Sequence, residues 1–336
     1  IVSPILRKDQ HPDQQRNKYM KITITGGTGF LGRLIAERCV ARGDAVTLFD
    51  IAVPAAGLSS LDGKVKVLSG DITDPDTVRS VVAGADCVVH LASMVSAGSE
   101  ADFDAAMRVN LDGGRCVLEA ARANGPATKV LFTSSLAIFG GAAMPPAVDA
   151  MTRPVPQNTY GMTKAVMEML INDMSRKGFI DGRVGRLPTI IVRPGKPNTA
   201  ASSFASGVIR EPLTGDVCYL PVARDLTLCV GSYKTCISGL MALMDAPAAA
   251  FGDDRVVNLP NITVSVNEMI KATEVVAAKH KIKLGSVSDK PDATVRGIVG
   301  SWPVAMDAAR ALALGCPEDT GLEAIIEAFV KDYLPS

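Results

Sequence analysis

KITITGGTGFLGRLIAERCVARG, residues 21–43, divides into three pieces. KITIT is a short β-branched run, GGTG is a glycine-rich turn, and FLGRLIAERCVARG has the character of a helix. A strand that passes through glycines into a helix has the form of a phosphate cradle. Gly26, Gly29 and Gly32 let the backbone bend sharply, so that its N–H groups come against a pyrophosphate. The positive end of the helix dipole adds to the same place, at Phe30 and Leu31. Glycine also serves plain turns; the strand before and the helix after are what make this loop a binding signal.

The alternation continues outward. AVTLF (45–49) is a second buried strand, and Asp50 stands at its end. A carboxylate there accepts both hydroxyls of an adenosine ribose and repels a 2′-phosphate, which selects NAD over NADP. KVKVL (64–68) is a third strand. Asp71 and Ile72 just after it are placed to reach the adenine edge, although Gly-Asp is also an ordinary turn. Asp74-Pro75 opens a helix as cap and first residue. CVVHLA (87–92), a long helix over about 101–123, KVLFTSS (129–135), a helix around 160–177 and TIIVRPG (189–195) complete the regular part. Strands that are almost continuously apolar, each followed by a helix, mean an α/β protein with a Rossmann-type, doubly wound parallel sheet. After Arg193-Pro194 the rhythm loosens. The expected division is a polar, disordered extension over 1–19, a cofactor-binding domain over 20–194 and a smaller α+β substrate region over 195–336.

The composition narrows the function. Thirty-five basic and 35 acidic residues give no net charge, so there is no field to gather nucleic acid or an anionic membrane. Aromatic residues are only 4%, which argues against a base-stacking surface. No apolar run is long enough to span a bilayer. Seven scattered cysteines without a C-x-x-C pair suit buried thiols better than disulfides or zinc. The expectation is a cytoplasmic protein without a metal, whose own start is Met20.

Tyr160 and Lys164 are four residues apart and so share one helix face. A phenol with a pKa of about 10 is a poor base at neutral pH. An ammonium about 5 Å away, at an effective dielectric of about 20, would stabilise the phenolate by about 3.3 kcal/mol and lower the pKa by about 2.4. Ser135 closes the fifth strand, where parallel sheets bind their ligands. Its plain alternative is a capping hydroxyl.

Together GGTGFLG, Asp50, HLAS (90–93), Asn110, TSS (133–135) and YGMTK (160–164) resemble the extended short-chain dehydrogenase/reductases. This group is also called the NAD-dependent epimerase/dehydratase family. The resemblance implies Tyr160 as general base, Ser135 as the hydroxyl that positions the substrate oxygen, and Lys164 as pKa modifier and nicotinamide-ribose ligand. It implies that Leu91, Ala92, Ser93 and Pro194 line the cofactor and that Asn110 steadies the active-site helix. His90 is then core. Phe139 departs from the pattern, because many relatives carry a tyrosine there. A homodimer through the two long helices is also implied.

The stretches 186–215 and 301–315 are similar to a subgroup that oxidises a four-carbon sugar acid, D-erythronate, at C2. A substrate carboxylate calls for a fixed cation or several donors. Lys196, Asn198 and Arg210 are the candidates, and surface charge is the alternative for each. Two other functions stay open: a nucleotide-sugar epimerase that retains its NAD, and a non-catalytic NAD-sensing module.

Overall fold

The computed structural model describes residues 19–55, 57–196 and 200–334. The extension expected over 1–19 lies, up to residue 18, outside the described residues, as does Asn198. Five strands follow the sequence pattern: β1 (Lys21–Thr25), β2 (Ala45–Asp50), β3 (Lys66–Ser69), β4 (Cys87–His90) and β5 (Lys129–Ser135). A two-residue strand, β6 (Ala147–Val148), pairs with Ala305–Met306. The next strand, β7 (Asp181–Leu187), lies beside β5 in the main sheet, with Ser135 opposite Leu187. All pairings in this seven-stranded sheet are parallel, in the order Val256–Asn258, β7, β5, β4, β1, β2, β3. The order reverses between β1 and β4, which opens a crevice beyond their carboxyl ends.

Nothing in DGRVGRL announces β7, since glycine and arginine are poor strand signals. The structure gives each of them a reason. A Cβ on Gly182 would collide with Ser175 and Ile171, so the glycine lets a helix lie close on the strand. Arg183 donates to Asp181 Oδ2 at 2.6 Å and to the Leu243 carbonyl at 2.8 Å. That carbonyl lies at the end of the helix Tyr233–Asp245, where a cation meets the negative end of the dipole. Arg186 forks onto Glu168 through two hydrogen bonds of 2.9 and 2.8 Å.

TIIVRPG does not continue the main sheet. Only Thr189–Ile191 (β8) is a strand, and it pairs with Thr227–Ser232 in a separate three-stranded sheet. The chain turns out of the first sheet at Pro188, because proline supplies no ladder N–H.

Among the helices, α1 (Phe30–Arg42) follows the glycine loop and α2 (Pro75–Val82) is capped by Asp74. The single helix expected over 101–123 is broken. It runs as α3 (Ser96–Ala101), α4 (Phe103–Ala106), a π-helical turn (Met107–Asp112) and α5 (Gly113–Asn124). Then comes α6 (Thr159–Arg176), which carries Tyr160 and Lys164. Residues 194–195 are not a clean border. Val256–Asn258 returns to the main sheet, and the helix Tyr233–Asp245 packs on it through Leu240 and Leu243.

Candidate active site

Four segments converge on one cleft: the glycine loop after β1, the loop after β4, the end of β5 and the first turn of α6. It is lined by Gly26, Gly29, Phe30, Leu31, Gly32, Leu91, Ser93, Ser135, Tyr160 and Lys164. All ten were expected from the sequence, and the fold brings them together.

The glycine loop is packed too closely against the protein's own backbone to carry side chains. Gly26 has φ +68°, and a Cβ there would lie 2.8 Å from the Ala92 nitrogen. The first residue before α1 is Gly29, no side chain caps the helix, and no acidic residue lies in its first turn. Its opening N–H groups therefore face the cleft as an anion site. Asp50 accepts from the Thr28 N–H at 3.1 Å and from the Thr28 hydroxyl at 2.8 Å, which fixes its carboxylate against the loop.

Asn110 explains the π-helical turn. That turn carries Asn110 to where its Nδ2 donates to the Met94 carbonyl and to Thr163 Oγ1, both at 3.1 Å, while its Oδ1 accepts from the Met94 N–H at 2.8 Å. One buried amide thus ties the loop after β4 to α6. Ser93 also donates to Asn110 Oδ1, at 3.2 Å.

Asn158 caps α6, its Oδ1 accepting from the Gly161 N–H at 2.8 Å. A Cβ on Gly161 would run into the Ala137 carbonyl, so the glycine allows Tyr160 to approach the end of β5. Ser135 accepts from the Ala137 N–H at 3.1 Å, so it caps the turn that follows β5, and it lines the same cleft as Tyr160. Lys164 is 3% exposed, and its Nζ donates to the Thr133 carbonyl at 2.9 Å.

The electrostatics differ from the sequence argument. In the protein chain alone burial pushes the Tyr160 phenol up to about 12, with the Ser135 hydrogen bond pulling the other way. Burial pushes Lys164 down to about 7, opposed by the charge of Glu168. The expected phenol of lowered pKa is therefore not a property of the chain by itself. Removing water from each group outweighs what its neighbours return, Ser135 for Tyr160 and Glu168 for Lys164. His90 is core, as expected: its Nδ1 lies 2.7 Å from Thr25 Oγ1, and burial pushes its pKa to about 3.

The remaining sequence candidates fall outside the cleft. Asp71 is exposed and accepts from the Thr73 N–H and hydroxyl, both at 2.8 Å; this is the ordinary turn. Ile72 is buried against Gly113. Pro194, Lys196 and Arg210 line a different groove with Phe329 and Tyr333. Arg210 is committed, to the Arg193 carbonyl at 2.7 Å and to Glu211 at 2.6 Å. Among the lining residues to which the sequence reading assigned no role are Ser134, Arg193 and Trp302. For Arg193 the signal was a charge at the end of an apolar run; for Trp302 it was only its being the single tryptophan.

Residues 22–227 match the NAD dependent epimerase/dehydratase family. The chain belongs to that family. Its cofactor is NAD, and the chain fits it: Gly26, Gly29 and Gly32 line the cleft, and the helix that follows starts with no side-chain cap and no acidic residue in its first turn. Within this epimerase/dehydratase family, the chain is 44% identical over 325 residues to D-erythronate dehydrogenase from Cupriavidus necator, covering 93% of this chain and 98% of that one. D-erythronate dehydrogenase from Haemophilus influenzae is 38% identical over 317 residues, covering 93% and 99%. Among solved structures, a nucleoside-diphosphate-sugar epimerase from Agrobacterium tumefaciens superposes with a TM-score of 0.84 at 34% identity, covering 97% and 98%.

Proposed function

We propose that this protein is an NAD-dependent dehydrogenase that oxidises the C2 hydroxyl of D-erythronate to 2-dehydro-D-erythronate. The observation that carries the reading is the nearly full-length similarity to two D-erythronate dehydrogenases. It is supported by a cleft in which a phosphate cradle leads to Ser135, Tyr160 and Lys164.

Bound NAD, held at the glycine loop by Gly26, Gly29 and Gly32, would supply the oxidising power by taking up the C2 hydrogen with its electron pair and becoming NADH. The hydroxyl proton goes to Tyr160 Oη and on to solvent, so one proton accompanies each NADH. Ser135 Oγ holds the C2 oxygen while it becomes a carbonyl, and orients the C–H bond. Lys164, held by Thr133, keeps a donor beside the phenol. The positive charge of an oxidised nicotinamide favours the phenolate that the chain alone disfavours. Asp50 reads the ribose hydroxyls, and Gly26, Gly29 and Gly32 admit the pyrophosphate.

Exposed Val166 and Met169 on α6 and Phe103 on α4 support a homodimer through this face. Seven free cysteines, six of them buried, agree with a cytoplasmic setting.

The test is to mix protein and NAD with four- to six-carbon sugar acids and several nucleotide sugars, and to follow NADH absorbance. NADH formed with D-erythronate upholds the reading. Silence with every acid, together with epimer formation from a nucleotide sugar, would transfer the claim to an NAD-retaining epimerase. The likeness to the Agrobacterium protein favours that second reading. Against it, Lys164 and Arg193 are the only cationic side chains among the described residues lining the cleft, few for a second diphosphate.

A further inference from the structure

We propose that Arg193 receives the carboxylate of the substrate. The inference deepens the dehydrogenase reading and rests on it for the identity of the acid.

Three observations lead there. First, the buried arginines each have a carboxylate: Arg183 has Asp181 at 2.6 Å, Arg186 has Glu168 at 2.8 Å and Arg210 has Glu211 at 2.6 Å. Arg193, half-buried, forms no ion pair with any described residue, and no Asp or Glu lines its cleft. Second, five buried side-chain polar atoms among the described residues have no hydrogen-bond partner. Three of them, Ser134 Oγ, Arg193 Nε and Trp302 Nε1, belong to residues lining this one cleft. Orphaned polar atoms are rare inside proteins, and three on the lining of one cleft point to a polar ligand there. Third, the other cations are unavailable. Lys164 is buried, tied to the Thr133 carbonyl and assigned to the Tyr160 phenol, Arg210 is paired, and Lys196 is exposed in another groove.

The guanidinium also has a mount. It lies 5.8 Å from the centre of the Phe30 ring, at the first residue of α1. Arg210 donates to the Arg193 carbonyl at 2.7 Å, and burial together with that like charge lowers the Arg193 pKa. A carboxylate would relieve both costs, and a planar fork suits its two oxygens. A pyrophosphate is the competing anion, because Phe30 borders the glycine loop. The Ser135–Tyr160 end of the cleft and the absence of any other cation for the acid favour the substrate.

The test uses the full-length protein and the variants Arg193→Gln and Arg193→Lys. Initial rates are measured against NAD, D-erythronate and the uncharged polyol erythritol. Trp302, the single tryptophan, reports occupancy of the same cleft by its fluorescence. The expected result is a KM for D-erythronate raised about ten- to a hundredfold in Arg193→Gln, with the KM for NAD changed by less than about twofold. The preference for the acid over erythritol should fall by the same factor. Arg193→Lys should recover part of the loss, since it keeps the charge without the fork. An unchanged KM for the acid overturns the proposal. A raised KM for NAD with the acid unaffected also overturns it, and assigns Arg193 to the cofactor. If the wild type oxidises no acid, the dehydrogenase reading has failed, and fluorescence alone decides Arg193. A response of the NAD-loaded protein to D-erythronate that vanishes in Arg193→Gln and is only weakened in Arg193→Lys upholds an anion seat; no response in the wild type removes it.

Discussion

At the scale of single residues the site is a set of polar groups whose ordinary ionisation the protein opposes. Tyr160 is pushed up and Lys164 down by the same burial. Two consequences can be measured. Replacing Tyr160 by Phe keeps the ring and its packing but removes the proton acceptor. The turnover number should fall by about a hundred- to ten-thousandfold while NAD binding, read by titration, stays within about twofold. A turnover number close to wild type would remove Tyr160 from the chemistry. The second consequence concerns stability. Lys164 holds its proton less well folded, at about 7, than in an unfolded chain, near 10.5. Below about pH 7 both states carry the charge and the full cost of burying it is present. As pH rises through 7 the folded protein sheds a proton that the unfolded chain keeps, so the cost shrinks towards pH 10.5. Lys164→Met removes that cost at every pH. Without NAD, the variant should melt above the wild type at pH 6.5, and the gap should narrow steadily up to about pH 9.5, read by thermal melts. A gap independent of pH would mean that Lys164 is not an ionisable burden in the fold.

At the scale of elements, the legible parts of the sequence were those whose local chemistry matches their final state. β1, the glycine loop and α1 could be placed from residues 21–43 alone because glycine, β-branching and helical spacing agree there. Ser135, Tyr160 and Lys164 were legible for the same reason. β7 was not, because its glycines and arginines make sense only against α6 and the helix Tyr233–Asp245, which a local pattern does not contain. The π-helical turn was hidden likewise, since it serves Asn110 contacts on either side of it. The cationic candidates Arg210 and Lys196 lie in another groove, because sequence shows charge but neither where the fold carries it, as for Lys196, nor whether a neighbour has neutralised it, as Glu211 does for Arg210. The β7 case makes its own prediction. Arg186 binds Glu168 on α6 and reaches Asn258 on the edge strand at 3.3 Å, so one guanidinium joins three elements. Glu168→Gln leaves that buried cation without its carboxylate, and should cost about 3 kcal/mol in urea unfolding. A loss below about 1 kcal/mol would mean that water or Asn258 compensates, as at an exposed pair.

At the scale of the whole molecule, the cleft exists because two parts of the chain share an interior. One apolar core contains Leu136, Ala137, Ile138 and Phe139 from the end of β5 together with Val208, Leu228, Val264 and Phe329 from beyond residue 194. Tyr160 packs against that same core, so the helix carrying the base is seated by the C-terminal half. The main sheet in turn needs Val256–Asn258 to cover the open edge of β7. A chain cut after residue 194 would expose that edge and half of a core, although the complete glycine loop, Ser135, Tyr160 and Lys164 would all be present. An uncovered parallel edge and an apolar face both favour aggregation over folding. The expected outcome is a fragment 20–194 that aggregates, or remains soluble only with fluctuating packing, dye-binding apolar surface and no cooperative melt. The full chain should unfold in urea in one transition, at the same midpoint by tyrosine circular dichroism and by Trp302 fluorescence, since Trp302 lies in the C-terminal half and lines the shared cleft. Two separated transitions, or a fragment that melts cooperatively and binds NAD, would show that the cofactor-binding part is independent. Tyr160 would then owe its position to α6 alone, and a purely local reading of the chain would have been sufficient.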